Sequence, residues 1–128
     1  MDIPTKNNRK ILVTQALPYA NAPLHLGHIL EAVQTDIWTR FQNLNGNECH
    51  FFCADDTHGT PVMLKANEMG ITPEKLIEDV YQDHKSTYEL YDINFANFYS
   101  THSDENKKYS EFIYKLSLIH ISEPTRPS

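Results

Sequence analysis

Long apolar runs, basic residues and cysteines are scarce in this 128-residue sequence. It has no run of about 18 apolar residues, which a membrane-spanning helix needs, and its polar start, MDIPTKNNRK, lacks the apolar stretch of a secretory signal. Lysine and arginine number 11 against 17 aspartates and glutamates, so the formal charge is -6 and no basic surface for nucleic acid is predicted. These absences predict a cytoplasmic protein with no membrane partner.

The two cysteines, Cys49 and Cys53, lie in ECHFFCADD, a stretch with the composition of a strand. In a strand their side chains share one face but stand about 13 Å apart, which is too far for a disulfide. No second cysteine pair is present to complete a zinc knuckle. We therefore expect two buried thiols.

The first half of the sequence predicts a βαβ unit with parallel strands. The run KILVTQA, residues 10–16, is typical of a strand buried on both faces of a sheet, and the proline-containing stretch 17–24 is typical of a loop. A second strand is predicted at residues 48–54. Between the strands, apolar residues at steps of three and four predict one apolar stripe on a helix that Asn45-Gly46 ends: Leu30, Val33, Ile37, Phe41 and Leu44.

Three more helices and a strand are predicted downstream. Thr60-Pro61 and Thr72-Pro73 each have the form of an N-cap followed by proline, and Gly70 lies where the first of these helices would end. The stretch INFANFYST has strand-like residues. Residues 103–106, SDEN, are typical of a cap for the last helix, whose predicted buried face holds Tyr109, Phe112, Ile113 and Leu116.

Polar clusters follow both of the first two predicted strands. They are LPYANAPLHLGH, residues 17–28, and DDTHGTP, residues 55–61. Because ligands of parallel sheets bind outside the carboxyl ends of the strands, we expect the clusters to converge on one cleft. His25 and His28 would offer two donors at a helix start, where unpaired N–H groups and the helix dipole favour an anion such as phosphate. Gly27 would let a phosphate or a planar ring approach the backbone.

Other interpretations of these residues stay open. Histidines in loops are often ordinary surface or packed residues. A divalent ion could also recruit the set, as in a small metallohydrolase: His25, His28, Asp55, Asp56 and His58. A third possibility is a non-catalytic binding module made from half a nucleotide fold.

Proline-tyrosine followed by HLGH, with ADDTHGTP at the end of the second strand, strongly resembles the N-terminal part of bacterial methionyl-tRNA synthetases, which are class I enzymes. The likeness runs from about Lys10 to Leu116. It implies an α/β fold, namely the first half of a Rossmann-like parallel-sheet nucleotide-binding domain. It also divides the chain into a polar extension (1–9), a truncated catalytic half-domain (10–116) and a tail (117–128). The tail resembles translated adapter sequence and is expected to be non-native.

The resemblance implies a methionine–tRNA ligase that uses ATP and Mg²⁺ to make methionyl-adenylate and then charges tRNA(Met). It makes His25 and His28 catalytic, since they would bind ATP phosphates and stabilise the charge that develops during the reaction. The implied ATP-binding residues are Tyr19, His25, Gly27, His28 and Glu31. The implied methionine-binding residues are Leu17, Tyr19 and Asp56, of which Asp56 would hold the α-ammonium group. For Asp55, Thr57 and His58 the resemblance implies only proximity.

The sequence lacks several parts of the family pattern. These are the Lys-Met-Ser-Lys-Ser-type loop, the rest of the methionine pocket, the second half of the nucleotide fold, the anticodon-binding domain and the connective insertion with its zinc knuckle. Zinc is therefore expected only in that missing insertion, with no metal ligand among the present residues, and tRNA contacts mostly in missing regions. The isolated 128-residue chain is expected to be inactive.

Overall fold

The computed structural model describes residues 8–121, with side chains up to residue 118. The predicted extension 1–9 lies mostly, and the predicted tail 117–128 partly, outside the described residues. Strands and helices alternate along the described chain in the order β1 (Lys10–Thr14), α1 (Leu26–Leu44), β2 (Glu48–Asp55), α2 (Thr60–Met69), α3 (Pro73–Leu90), β3 (Asn97–Ser100) and α4 (Asp104–Ile121). This is the predicted α/β class.

The described strands form a parallel sheet in the order β1-β2-β3. Val13 lies opposite Phe51, and Cys53 lies opposite Phe98. The parallel sheet and the βαβ order were therefore predicted correctly. The first strand ends two residues before the predicted limit, at Thr14, and the second runs one residue further, to Asp55.

One face of this sheet carries the main core. Side chains of α1, β2, α3 and the segment after α3 meet there in a cluster made of Ile29, Ala32, Phe51, Tyr88 and Ile93. A second cluster joins α2 and α3 to the loop after β1 and consists of Ala20, Val62, Ala66, Leu76 and Val80. On the opposite face Leu12 is 71% exposed, so the expectation that β1 is buried on both faces was wrong for the described part of the chain.

Most predicted helix ends are confirmed. Asn45 is the C-cap of α1, and Gly70 ends α2 in the left-handed conformation with φ of 66°. The Thr72 hydroxyl accepts a hydrogen bond from the backbone N–H of Lys75 at 3.2 Å.

The predicted cap of α2 was wrong. Thr60 is the first helical residue, and the N-cap is Gly59 with φ of 132°. A Cβ atom on Gly59 would lie 2.4 Å from the hydroxyl oxygen of Tyr19. Both its conformation and this close approach therefore require glycine, which the threonine pattern did not reveal.

Most of the apolar stripe predicted on α1 does not face the core, and only Val33 of the five residues packs against the main core cluster. Leu30, Ile37, Phe41 and Leu44 are between 56% and 84% exposed, whereas the buried residues of the helix are Ile29, Ala32, Asp36 and Thr39. Two of the buried residues, Asp36 and Thr39, are polar. Their burial is tolerated because their side chains have hydrogen-bond partners. The Asp36 carboxylate, for example, accepts from the backbone N–H of Asn94 at 3.1 Å. Periodicity of apolar residues alone missed this face.

The buried face predicted for α4 was also wrong. Ser103 does cap the helix, since its hydroxyl accepts from the backbone N–H of Asn106 at 3.2 Å. However, no described element covers the apolar side chains, which are 41% to 61% exposed: Tyr109, Phe112, Ile113 and Leu116. The pattern identified the helix correctly but not its surroundings.

Cys49 and Cys53 are both buried free thiols, as predicted. Burial raises the pKa of the Cys53 thiol to about 12, so it stays protonated near neutral pH. In the described part of the chain, no helix has the length and apolar character needed to cross a membrane.

Candidate active site

The segments that follow β1 and β2 meet at one edge of the sheet, as the sequence predicted. The backbone N–H of Ala20 donates to the carbonyl of Asp56 at 2.8 Å, and the N–H of Asp56 donates to the carbonyl of Pro18 at 2.9 Å. Tyr19 and Asp56 thus form a parallel bridge beyond the ends of both strands. This bridge fixes the loop before α1 against the end of β2.

His25 and His28 are held by backbone groups at the start of α1. His25 is the N-cap, and its Nδ1 accepts from the N–H of Gly27 at 3.0 Å. The Nδ1 of His28 accepts from the N–H of His25 at 3.3 Å, and the two rings stack with centroids 3.7 Å apart. A ring nitrogen that accepts carries no proton, so in this arrangement each ring has its N–H on Nε2, which for His28 is the neutral form. Neither Nε2–H has a partner among the described residues, so both can donate to a ligand.

The surroundings of His28 favour the same neutral form. Burial lowers the pKa of its imidazole below the ordinary 6.5, and the positive charges of His25 and His84, when protonated, lower it further. Glu31 acts weakly in the opposite direction. His28 is therefore a neutral hydrogen-bond donor at neutral pH.

Gly27 makes room for the ring of His25. A Cβ atom at this position would lie 2.9 Å from Cε1 and 3.0 Å from Nδ1 of that ring. The planar group that approaches the backbone here is thus a side chain of the protein itself. Any larger residue at position 27 would displace His25 from its place over the first turn.

Glu31 lies one turn into α1, and one of its carboxylate oxygens has a structural partner. Its Oε1 accepts from the backbone N–H of Ala16 at 2.8 Å, which ties the helix to the end of β1. The family resemblance implied that this residue binds ATP. The structure shows one contact of its carboxylate, which joins α1 to the chain that follows β1.

Of the three residues predicted to bind methionine, Leu17 and Tyr19 are close in sequence, and Asp56 lies across the parallel bridge from Tyr19. Asp56 is half-buried, and its carboxylate has no hydrogen-bond partner in residues 8–118. The Tyr19 hydroxyl donates to the carbonyl of His58 at 2.8 Å, and Leu17 is 42% exposed. An unpartnered carboxylate at the rim of the site can hold a cationic group.

Asp55, Thr57 and His58 have partners away from the histidine pair. Asp55 is fully buried and meets His84 of α3, with 2.7 Å between its Oδ1 and Nδ1 of the ring. The Thr57 hydroxyl lies 2.9 Å from that of Thr101, and Nε2 of His58 lies 3.3 Å from the Thr101 carbonyl. These residues therefore shape the edge of the sheet.

Sequence reasoning missed His84. Its position gave a signal, because it stands four residues from both Val80 and Tyr88 and eight from Leu76, in the buried stripe of α3. A histidine in such a stripe needs polar partners, and these come from segments that are distant in sequence.

The metal-binding interpretation finds no support in the structure. Across the described residues, no three histidine, cysteine, aspartate or glutamate side chains converge as metal ligands. Asp55 is directed to His84, and the nitrogens Nδ1 of His25 and His28 are occupied by backbone N–H groups. The five-residue set proposed for a metallohydrolase is thus divided among different surroundings.

A cavity of about 640 Å³ lies near the site, between the end of β3 and the start of α4. Its lining includes His58, His102 and Lys107 but neither His25, His28 nor Asp56. The predicted site itself is an open surface at the sheet edge in the described part of the chain.

Comparison with known proteins gives a family match and several similar structures. Residues 11–120 match the family model of tRNA synthetases class I (M). Two structures of Mycobacterium tuberculosis methionyl-tRNA synthetase with methionyl-adenylate are similar, with TM-scores of 0.82 and 0.80 and 27% and 26% identity. In both cases the match covers 84% of this chain and 21% of the other.

A LeuRS–tRNA–LeuAMS complex from Agrobacterium radiobacter shares the fold, with a TM-score of 0.76 and 24% identity over 91% of this chain and 16% of that chain. The chain thus spans about one fifth of the length of the synthetases that it matches. The family match covers most of the chain and includes both polar clusters, so the chain belongs to the class I tRNA synthetases of the M type.

Proposed function

We propose that the full-length protein carrying this sequence activates methionine with ATP to methionyl-adenylate and transfers the methionyl group to tRNA(Met). The proposal concerns the whole protein, since the chain spans about one fifth of its structural relatives. The observation that supports it best is the pair of stacked imidazoles, His25 and His28, whose Nε2–H groups are available at a helix start. The unpartnered carboxylate of Asp56 lies at the same sheet edge.

The proposed reaction needs donors but no base. A carboxylate oxygen of methionine attacks the α-phosphorus of ATP, the bond from that phosphorus to the bridging oxygen breaks, and pyrophosphate leaves with the electron pair. Negative charge redistributes over the phosphate oxygens during this step. His25 and His28 stabilise it by donating hydrogen bonds from Nε2, and both keep their protons throughout.

The other predicted residues bind and orient the substrates in this proposal. Asp56 pairs with the α-ammonium group of methionine, and Leu17 and Tyr19 line its pocket, with Tyr19 also close to ATP. Gly27 leaves room for the His25 ring beside the nucleotide, and Glu31 faces adenine. Because Oε1 of Glu31 is engaged with Ala16, its second oxygen accepts from the adenine amino group.

In this proposal the described side chains hold no metal ion. No three ligand side chains converge in residues 8–118, so this part of the protein does not fit a protein-held Mg²⁺. Mg²⁺ commonly reaches such enzymes on the phosphates of ATP, and no step above depends on it. The proposal keeps four further expectations from the sequence. Zinc binds only in the missing insertion, and most tRNA contacts lie in missing regions. The protein is cytoplasmic, and the chain divides at residues 9/10 and 116/117.

Pyrophosphate exchange into ATP tests this function. We expect the purified full-length enzyme to support exchange with methionine and to prefer it to leucine by at least about tenfold in kcat/KM, the least that a shape-matched apolar pocket gives. The 128-residue chain serves as the matched negative control and should give no exchange above a blank. Equal exchange with leucine, or none with either amino acid, would refute methionine activation.

A further inference from the structure

His84 of α3 is a buried residue that the proposed reaction does not use. Its side chain and that of Asp55 are both fully buried. Nδ1 of His84 lies 2.7 Å from Oδ1 of Asp55, and Nε2 lies 2.8 Å from the carbonyl oxygen of Ala22. The ring therefore joins α3 to the end of β2 and to the loop between β1 and α1.

The two contacts define where the protons are. A carbonyl oxygen only accepts, so Nε2 of His84 donates to Ala22. A carboxylate oxygen and an unprotonated Nδ1 would repel at 2.7 Å, so a proton lies between Asp55 and His84 as well. The pair together is neutral, which a fully buried site tolerates far better than a single charge.

Oδ2, the second oxygen of the Asp55 carboxylate, is buried and has no hydrogen-bond partner among the described residues. A buried acceptor without a partner is destabilising, because it has given up its hydrogen bonds to water. Such a cost is often retained where a polar group orders a functional segment.

Both contacts of His84 lie next to residues of the proposed site. Ala22 stands three residues before His25, the N-cap of α1. Asp55 immediately precedes Asp56, whose backbone holds the same loop through Pro18 and Ala20. A shift of the ring would therefore move the loop relative to both the histidine pair and Asp56.

We propose that His84 is a positioning residue for amino-acid activation, which acts by holding the Ala22 carbonyl and Asp55 and so fixes the loop that places His25 and Asp56. This inference rests on the proposed function. Misplacement of reacting groups by about 1 Å can cost about 100-fold in rate. Loss of the two hydrogen bonds of His84 should therefore have its main effect on kcat rather than on the free energy of unfolding.

Two substitutions in the full-length enzyme separate positioning from packing. His84→Phe fills the space but cannot donate to Ala22, whereas His84→Gln keeps an N–H donor of similar reach. We expect kcat for methionine-dependent exchange to fall about 10- to 100-fold in His84→Phe and to stay within about threefold of the wild type in His84→Gln. Tyr88→Phe is the matched control, because it removes a buried hydrogen bond of the same helix that does not reach the Ala22 carbonyl, namely the one that Nε2 of Gln15 donates to the Tyr88 hydroxyl.

A second measurement does not need activity. Hydrogen exchange of the Ala20 amide, which is bonded to Asp56, reports whether the loop is held. We expect it to be at least tenfold faster in His84→Phe than in the wild type and in Tyr88→Phe, and nearly unchanged in His84→Gln. If the wild type shows no methionine-dependent exchange, the proposed function fails while this measurement still tests the role of His84.

The positioning role would be overturned by a kcat of His84→Phe within twofold of the wild type, or by a His84→Gln enzyme as slow as His84→Phe. Should His84→Phe not fold, His84→Gln decides alone, and a loss above tenfold in its kcat or an unprotected Ala20 amide contradicts the proposal. A purely structural role predicts lower melting temperatures for all three variants with kcat unchanged.

Discussion

The two histidine sites of this chain differ in how they are held. His25 and His28 lie at the surface of a helix start and accept hydrogen bonds from backbone groups two and three residues away. His84 is buried and bonds to Asp55 and Ala22, which are 29 and 62 residues away. The first site leaves two N–H donors available to a ligand, whereas the second has both nitrogens engaged. We infer that His25 and His28 take part in the reaction, whereas His84 positions the loop that leads to them.

This comparison predicts its largest effect at the surface pair. His28→Ala removes a neutral donor to charge that grows during the reaction, so we expect kcat for exchange in the full-length enzyme to fall roughly 100- to 1,000-fold with ATP affinity nearly unchanged. His50→Ala is the matched control, since His50 is an exposed histidine on β2 that is bonded to Glu48. A rise in the KM for ATP without loss of kcat would place His28 in ground-state binding instead.

The next effect concerns Asp56, the carboxylate without a described partner at the same edge. Asp56→Asn removes the charge that would pair with the α-ammonium group, and we expect the KM for methionine to rise roughly 10- to 150-fold, since hydrogen bonds to charged groups contribute about 1.5–3 kcal/mol. Asp79→Asn, on the exposed face of α3, is the control. Metal analysis of the same preparations belongs to this test, because loss of a bound ion in both Asp56→Asn and His28→Ala would favour the metallohydrolase hypothesis.

A smaller effect is expected at Gly27, which separates rate from stability. Gly27→Ala should leave the melting temperature unchanged or higher, because alanine favours a helix, but should lower kcat about tenfold as the ring of His25 moves. Gly70→Ala should lower the free energy of unfolding by about 1 kcal/mol and leave kcat normal, since Gly70 has a φ of 66° and open space around it. Equal kcat in both variants would show that the position of His25 does not matter.

How well the sequence predicted this structure depends on how far apart in the sequence the interacting residues are. Caps, glycine stops and the histidine pair depend on residues a few positions apart, and the structure confirms the stops at Asn45 and Gly70 and the convergence of the two clusters. The buried faces of α1 and α4 depend on what packs against them. For α1 the covered face contains Asp36, whose partner Asn94 is 58 residues away, so apolar periodicity identified only Val33 among the residues that contact the core.

The site shows the same limit. The grouping of Tyr19 with Asp56 could be predicted because parallel strands end at one edge. The partner of Asp55 could not, because nothing in DDTHGTP indicates a histidine on a helix two elements later. Pattern reasoning therefore predicted that the two polar clusters meet, but it did not reveal that His84 contacts Asp55 and Ala22.

The last and smallest predicted effect is a pH dependence at the buried site. Burial alone would lower the pKa of the His84 imidazole, but its hydrogen bonds to Asp55 and the Ala22 carbonyl, with the charges of Asp55 and Asp83, raise it above the ordinary 6.5. The charged or titratable groups near the ring are thus Asp55 at the end of β2, Asp83 on α3 itself and His28 on α1. The folded state holds the proton more tightly than the unfolded state does.

The sign of the effect follows from this tighter binding. The stabilisation is fully present below about pH 6.5 and is lost as the pH rises through the raised pKa of His84. We expect the free energy of local opening, from hydrogen exchange of the Ala20 amide corrected for its intrinsic rate, to fall above pH 6.5 by at most about 1.4 kcal/mol per pH unit. Asp55→Asn can donate to a neutral ring, so it removes the shared proton without removing the contact, and its profile should be flat. An equally steep fall in Asp55→Asn would assign the titration to another group, whereas a flat wild-type profile would mean that the buried pair does not exchange its proton in this range.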